Sequence, residues 1–135
     1  MSVVTVVVEK LARKSGVMLG NLPRAERLVA LALAASVIAP DGAYDERSVS
    51  LALEEWLSSR GGFLDSDRVE LRRTLVDSGL WQRDDYGRGY RRGAAHDPEL
   101  ARVATEVEKI DASHLLDEAR RHHLTERARR KAAHG

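Results

Sequence analysis

Three side chains near the C-terminus have a spacing that can hold a metal ion. His114, Glu118 and His122 follow one another at intervals of four residues. They would share one face if the segment is helical, and imidazole and carboxylate groups are ordinary zinc ligands. The surrounding sequence supplies neither another strong ligand nor an apolar shell. We therefore expect solvated histidines here, with no metal and no cofactor.

Motifs for catalysis are not evident either. The chain has no cysteine, which excludes disulfides, thiolate nucleophiles and cysteine metal sites. The glycine pairs at 61–62 and 87–89 fit helix-end and hairpin-turn positions better than a loop that cradles phosphate. No spacing of Ser, His and Asp marks a nucleophile elbow or a paired acid and base. We expect a protein that is not an enzyme. The alternative is an enzyme or ligand sensor with an unrecognised pocket.

The arginines are the residues best suited to a ligand, because guanidinium groups bind phosphates by charge and by paired hydrogen bonds. The whole chain carries 22 basic and 21 acidic residues, so no global field indicates nucleic-acid binding. Locally the balance changes: residues 120–131 contain six basic residues and one acid, Glu126. We take as candidate nucleic-acid contacts Arg73, Arg83, Arg88, Arg91, Arg92, Arg120, Arg121, Arg127, Arg129, Arg130 and Lys131. The alternative is that these charges are only solvated.

Periodicity and breaker residues divide the chain into short, mostly helical elements. The β-branched run at residues 3–8 favours a strand, but the next residues favour a helix, and we expect a helix over about 4–15. Residues 24–38 form the clearest helix, with Leu28, Leu31, Ala32 and Ala35 on one buried face. The longest largely apolar run, residues 28–39, is too short to span a membrane.

The middle of the chain alternates helices with short extended pieces. Tyr44 lies in a short extended segment, and Asp45 is an expected N-cap of a helix to residue 59. Asp65 or Ser66 is expected to cap a helix over 67–78, which Gly79 ends. Residues 80–83 and 89–92 then form a hairpin. This order of helix, strand, helix, helix and hairpin is that of a winged helix-turn-helix.

The third helix of this unit has an unusual charge pattern for one that reads DNA. At 100° per residue, Arg68 and Arg72 fall within the buried arc, between the apolar residues. The exposed arc carries Glu70, Arg73 and Asp77, and its carboxylates would repel phosphates. We expect Arg72 to be structural and to pair with Asp77 or Glu46.

A fourth helix begins at Asp97-Pro98 and carries a narrow apolar stripe. The stripe consists of Leu100, Val103, Val107 and Ile110, with spacings of 3, 4 and 3 residues. It has the width of a two-helix seam. The stripe packs either on this chain's own winged helix or on a second subunit, and we favour a homodimer. Asp111 to Ser113 interrupt the stripe and can cap a further helix, whose basic end has few apolar anchors and is expected to fray.

Residues 67–92 carry a dense motif that identifies a family resemblance. The matching positions are Leu71, Arg72, Arg73, Leu75, Val76, Asp77, Gly79, Leu80, Arg83, Gly87, Tyr90 and Arg92. Together with the step from Tyr44 to Val49, they resemble the bacterial family named domain of unknown function 2087, over residues 23–92. Some members of that family are described as transcriptional regulators. The resemblance supplies no catalytic residues.

These observations predict a mainly α protein with a small β-hairpin, a winged helix-turn-helix with additional N- and C-terminal helices. The predicted parts are an N-terminal segment over 1–22, a winged-helix domain over 23–92 and a helical extension over 97–135. We expect a cytoplasmic DNA-binding transcriptional regulator that acts as a homodimer through its wing and basic tail. The alternative is a protein-interaction module that does not bind DNA.

Overall fold

The computed structural model of the protein describes residues 2–84, 86 and 89–134. It is mainly helical, with a small antiparallel sheet, as the sequence predicted. In chain order the elements are α1 (Val3–Ala12), a 3₁₀ turn (Leu19–Asn21), α2 (Arg24–Ala35), β1 (Tyr44–Asp45), α3 (Glu46–Leu57), α4 (Arg68–Ser78), β2 (Trp81–Arg83), β3 (Gly89–Arg92), α5 (Pro98–Glu108) and α6 (Ala112–His134).

Helix α2 is the centre of the core. Every residue from 28 to 35 is buried, whereas the sequence analysis expected one buried face. A helix that is apolar all round must be covered on all sides, and α1 and α5 both pack against it. The predicted buried positions Leu28, Leu31, Ala32 and Ala35 are confirmed. The residues between them are buried as well, because neighbouring elements cover the other sides of the helix.

The predicted winged-helix segment forms a compact group of helices and strands. The strands pair in the order β1-β3-β2, all antiparallel, with Tyr44 opposite Tyr90 and Trp81 opposite Arg92. This order and the preceding helices are compatible with a winged-helix-like arrangement. Trp81 connects the sheet to the core, since its indole Nε1 donates to the Ala35 carbonyl at 3.0 Å.

Local capping signals set the helix ends in this segment. Asp45 caps α3, because its carboxylate accepts from the Ser48 backbone amide at 2.7 Å, as predicted. Gly79 ends α4 with a φ of 87°, a left-handed conformation that favours glycine. The predicted caps Asp65 and Ser66 are wrong. The cap is Asp67, whose carboxylate accepts from the Glu70 amide at 2.8 Å, and α4 begins at Arg68, one residue later than predicted.

The N-terminal valine run is helical. Val4, Val7, Val8 and Leu11 are buried at the i, i+3, i+4, i+7 spacing of one helix face. The hydroxyl of Ser2 caps α1 by accepting from the Thr5 amide at 3.1 Å. Packing against α2 and α6 therefore outweighs the strand propensity of β-branched residues.

The apolar stripe of α5 lies inside the chain. Leu100, Val103 and Val107 are buried, and Ile110 is half-buried, while α5 packs along α2. Of the two packing arrangements left open by the sequence, the structure has the intramolecular one. These side chains are therefore not available as a dimer seam, and homodimerisation itself stays a prediction.

Helix α6 continues to the end of the described chain, where the sequence analysis expected fraying. Asp111 caps it by accepting from the His114 amide at 3.1 Å. Leu116 is buried, but every residue from 127 to 134 is exposed. Within the described residues, no helix is both long and apolar enough to cross a membrane.

If the α5 stripe is a core element, Leu100→Ala should destabilise the fold without changing its assembly. Leu100 is 4% exposed, so its replacement by alanine leaves a cavity in the core. This cavity should cost about 2–4 kcal/mol of unfolding free energy. Chemical denaturation measures this loss, and sedimentation measures the mass. The same substitution at Leu124, which is 50% exposed, is the control and should cost little. Loss of a dimer with unchanged stability of the subunit would contradict the intramolecular assignment.

Candidate nucleic-acid interface

The C-terminal half of α6 presents several exposed cations close together in the sequence. Arg121 and Arg129 are exposed but each pairs with a glutamate three residues earlier, at 3.3 Å in both cases. Arg127, Arg130 and Lys131 are exposed, and among the described residues none of the three has a carboxylate within ion-pair distance. Such cations are free to neutralise phosphates. The unpaired charges therefore lie near the end of the helix.

Arg120 has a structural role, so its guanidinium is not free to contact nucleic acid. Its guanidinium Nη1 donates to the carbonyl oxygens of Ala12 and Lys14, at 3.3 and 3.0 Å. Carbonyls at the end of a helix lack partners within it, so this contact caps α1 and fixes α6 against it. The sequence predicted Arg120 as a nucleic-acid contact; in the structure its guanidinium is engaged by these two carbonyls.

A basic cluster at the α1–α6 contact was missed by the sequence analysis. Burial lowers the pKa of His123 below its usual 6.5, and four guanidinium groups lower it further, those of Arg13, Arg120, Arg127 and Arg130. The spacing of positions 120, 123, 127 and 130 is the signal that could have found the α6 members, because it places them on one helix face. Arg13 could not be found in this way, since it comes from α1.

The hairpin retains fewer free arginines than predicted. Arg83 is exposed on β2, and Arg91 is exposed on β3, where its Nε donates to the Gln82 side chain at 3.2 Å. Arg88, the predicted contact at the tip, lies outside the described residues. The carboxylate of Asp84 caps the turn by accepting from the Tyr86 amide at 3.1 Å. The described part of the hairpin thus offers Arg83 and Arg91.

Arg92 does not belong to this surface, contrary to the sequence prediction. Its side chain is only 12% exposed and forms an ion pair with Glu108 on α5. Its Nη1 donates to the Ile38 carbonyl at 3.4 Å, and its Nε is buried without a hydrogen-bond partner among the described residues. The end of β3 faces the core, so Arg92 connects the sheet to α5 and is not accessible to a large ligand.

On α4, the predicted role of Arg72 is confirmed. Its guanidinium pairs with Glu46 at 3.0 Å and donates to Ser50 at 2.7 Å, and it lies 5.9 Å from the centre of the Tyr90 ring. Arg68 was expected within the buried arc. It is instead exposed and pairs with Glu54 of α3 at 2.5 Å.

The remaining exposed face of α4 mixes charges. Arg73 is exposed, as are Glu70 and Asp77. Next to them, α3 and α4 border a shallow groove of about 800 Å³, with Val69 exposed at its edge. Because the two carboxylates oppose the arginine, α4 carries no clear phosphate-binding face.

The spacing of His114, Glu118 and His122 does not produce a metal site. Within the part of the chain that the structure describes, no group of three or more potential ligands is placed to hold a metal ion. Glu118 forms its ion pair with Arg121, while both histidines are exposed.

Comparison with known proteins identifies the segment that contains the sheet. A family model described as "Uncharacterized protein conserved in bacteria (DUF2087)" matches residues 21–92. The chain belongs to this family. No curated protein and no solved structure matches it. The DUF2087 segment runs from before α2 to the end of β3, so α5 and the basic helix α6 lie outside it.

The ion pair between Arg60 and Asp117 joins the DUF2087 segment to α6, with 3.0 Å between Arg60 Nη2 and Asp117 Oδ2. The hydrogen bond and the charge of Arg60 lower the pKa of Asp117 below 3.8. A carboxyl whose pKa is lowered by folding stabilises the fold above its unfolded pKa, and this stabilisation is lost as pH falls through the folded pKa. The attachment should therefore be intact at neutral pH and weaken in acid below 3.8.

Asp117→Asn tests this attachment. We expect the variant to be less stable than the wild type near neutral pH, with the difference shrinking in acid because the wild-type carboxyl becomes protonated there. Denaturation midpoints measured over a pH series check the expectation. Asp41→Asn, at an exposed loop residue, is the control and should show no such convergence. A difference that does not change with pH would contradict an ionic contribution.

The two neighbouring hairpin arginines should respond differently to substitution. Arg92→Gln removes charged hydrogen bonds at a mostly buried site and leaves Glu108 without its partner, which should cost about 1.5–3 kcal/mol of unfolding free energy. Arg91→Gln, at an exposed residue, should cost under about 0.5 kcal/mol. Thermal or chemical denaturation of the two variants measures the contrast. Equal stabilities would argue against a structural role for Arg92.

Proposed function

We propose that this DUF2087 chain binds DNA in transcriptional regulation, chiefly through phosphate contacts made by α6. The observation that carries the proposal is the exposed end of this helix, where Arg127, Arg130 and Lys131 have no carboxylate partner among the described residues. Phosphate neutralisation supplies most of the affinity in non-specific binding. A helix held at one end by core contacts and exposed at the other is suited to lie along a phosphate backbone.

The wing has a secondary role in this proposal. Arg83 and Arg91 are exposed on adjacent strands and can add phosphate contacts, as wing residues do in related arrangements. Helix α4 is not proposed to read bases, because Glu70 and Asp77 share its exposed face. The proposed binding is therefore governed by charge and only weakly dependent on sequence.

Homodimerisation through α5 is not part of the proposal. The stripe that motivated it is packed against α2 within the chain. One copy of α6 supplies three unpaired cations, and DNA binding through them should weaken as salt concentration rises.

The proposal predicts that Arg127→Gln/Arg130→Gln weakens DNA binding and reduces its salt dependence. Each lost phosphate contact lowers the slope of log K against log salt by about 0.9, so two contacts should lower it by about 1.8. Glutamine preserves helix propensity. Fluorescence anisotropy with a random-sequence duplex at several salt concentrations gives both quantities.

The control variant removes the same amount of positive charge from other parts of the surface. Arg47→Gln/Arg102→Gln removes two exposed arginines on α3 and α5 and should leave the slope nearly unchanged. An equal loss of affinity in both double variants would show that only net charge matters. Failure of the wild type to bind the duplex even at low salt would reject DNA binding.

A second candidate function is a protein-interaction module. It is favoured by the groove between α3 and α4, which is lined by Val69, 47% exposed, and by an adjoining hollow lined by Val69 and by Leu51, 53% exposed. Exposed apolar side chains bordering a groove are a common feature of protein-binding surfaces. This candidate would gain support if the duplex does not bind. Val69→Asp should then abolish binding of a protein partner, and Arg127→Gln should leave that binding intact.

A further inference from the structure

The basic cluster defined by Arg13, Arg120, His123, Arg127 and Arg130 combines two elements that are distant in the sequence. Arg120 brings them together, because its bonds to the Ala12 and Lys14 carbonyls place α6 across the end of α1. The remaining α6 members follow Arg120 on the same helix face. Arg13 comes directly after the last residue of α1 and adds its charge from the other side.

Among the described residues, no carboxylate lies within ion-pair distance of the arginines of this cluster. Lys14, the other cation at the end of α1, pairs with Glu26 at 3.0 Å, and the glutamates of α6 pair with Arg121 and Arg129. These carboxylates therefore form their ion pairs with cations outside the cluster. The four guanidinium groups that act on His123 are all positive, and together they oppose protonation of its imidazole.

The end of α1 would ordinarily disfavour an anion, because helix C-termini carry partial negative charge. Here the guanidinium of Arg120 covers the Ala12 carbonyl at the end of α1 and the Lys14 carbonyl just beyond it, and its positive charge opposes this repulsion. A phosphate near His123 would then meet arginine side chains from both helices. The half-buried imidazole could donate a hydrogen bond to it when protonated.

We propose that Arg13, His123, Arg127 and Arg130 of the basic cluster bind a phosphate of the DNA backbone, with Arg120 holding the two helices together, and that His123 takes up a proton when the phosphate binds. This inference rests on the DNA binding proposed above and adds Arg13 and His123 to the interface. In the free protein the surrounding arginines keep His123 neutral. A bound phosphate offsets their charge and stabilises the imidazolium, so binding and protonation favour each other.

The coupling has a defined direction. Because phosphate binding raises the pKa of His123 from its lowered value, DNA affinity should rise as pH falls through the interval between the free and bound values. The charged groups that face this imidazole are Arg13 from α1 and Arg120, Arg127 and Arg130 from α6. Arginines remain charged throughout this range, so they do not add a titration of their own.

The experiment measures binding of a short random-sequence DNA duplex at about pH 5.5 and about pH 8, on either side of the histidine range. We compare wild type, His123→Gln and His122→Gln, the last being an exposed neighbouring histidine. A rise of one unit in the pKa of His123 corresponds to up to about tenfold tighter binding at the lower pH. We expect His123→Gln to lose this gain and His122→Gln to keep it.

Two further measurements separate the parts of the inference. The NMR titration of His123 should shift to higher pH when the duplex is added. Arg13→Gln should weaken binding and lower its salt slope, whereas Arg102→Gln on α5 should not. Tight binding with the same pH dependence in all variants would overturn the site while leaving DNA binding by α6 intact. Absence of duplex binding by the wild type at low salt would overturn the proposed function and the inference together.

Discussion

The all-round burial of residues 28–35 in α2 is the constraint on which the rest of the structure depends. A helix with no polar face cannot lie at a surface, so it requires cover from several directions. The DUF2087 segment supplies part of this cover. Its Trp81 donates a hydrogen bond to the Ala35 carbonyl at the end of the helix. Helices α1 and α5 supply the rest. The N- and C-terminal helices are therefore parts of the same core.

Charged contacts then connect these covering elements to one another. Arg24 contacts Asp97 and Glu99 at the start of α5, at 2.8 and 2.9 Å, and Arg92 contacts α5 from the sheet. Arg60 and Arg120 hold α6. Most of these pairs are partly exposed and individually weak, so their main effect is on orientation. They also occupy arginines that would otherwise be free, such as Arg24, Arg60 and Arg92.

Local signals predicted local structure well. Asp45, Gly79 and Asp97 lie at helix ends as expected, because capping depends on a few neighbouring residues. The hairpin strands could also be predicted, and Glu46 is one of the two partners expected for Arg72, since both features belong to one compact motif. The helical state of the N-terminal valines was harder to predict, because it depends on burial against distant helices rather than on propensity.

The sequence by itself determined the element order, the family and the basic composition of the C-terminal segment. Only the tertiary structure decided which arginines are free, because exposure depends on partners such as Glu108 that lie on other elements. The same holds for the α5 stripe: its spacing indicates a helix partner, but its burial against α2 shows that this partner belongs to the same chain. The cluster around His123 was likewise decided by packing, since Arg13 and Arg120 meet only where α6 crosses the end of α1.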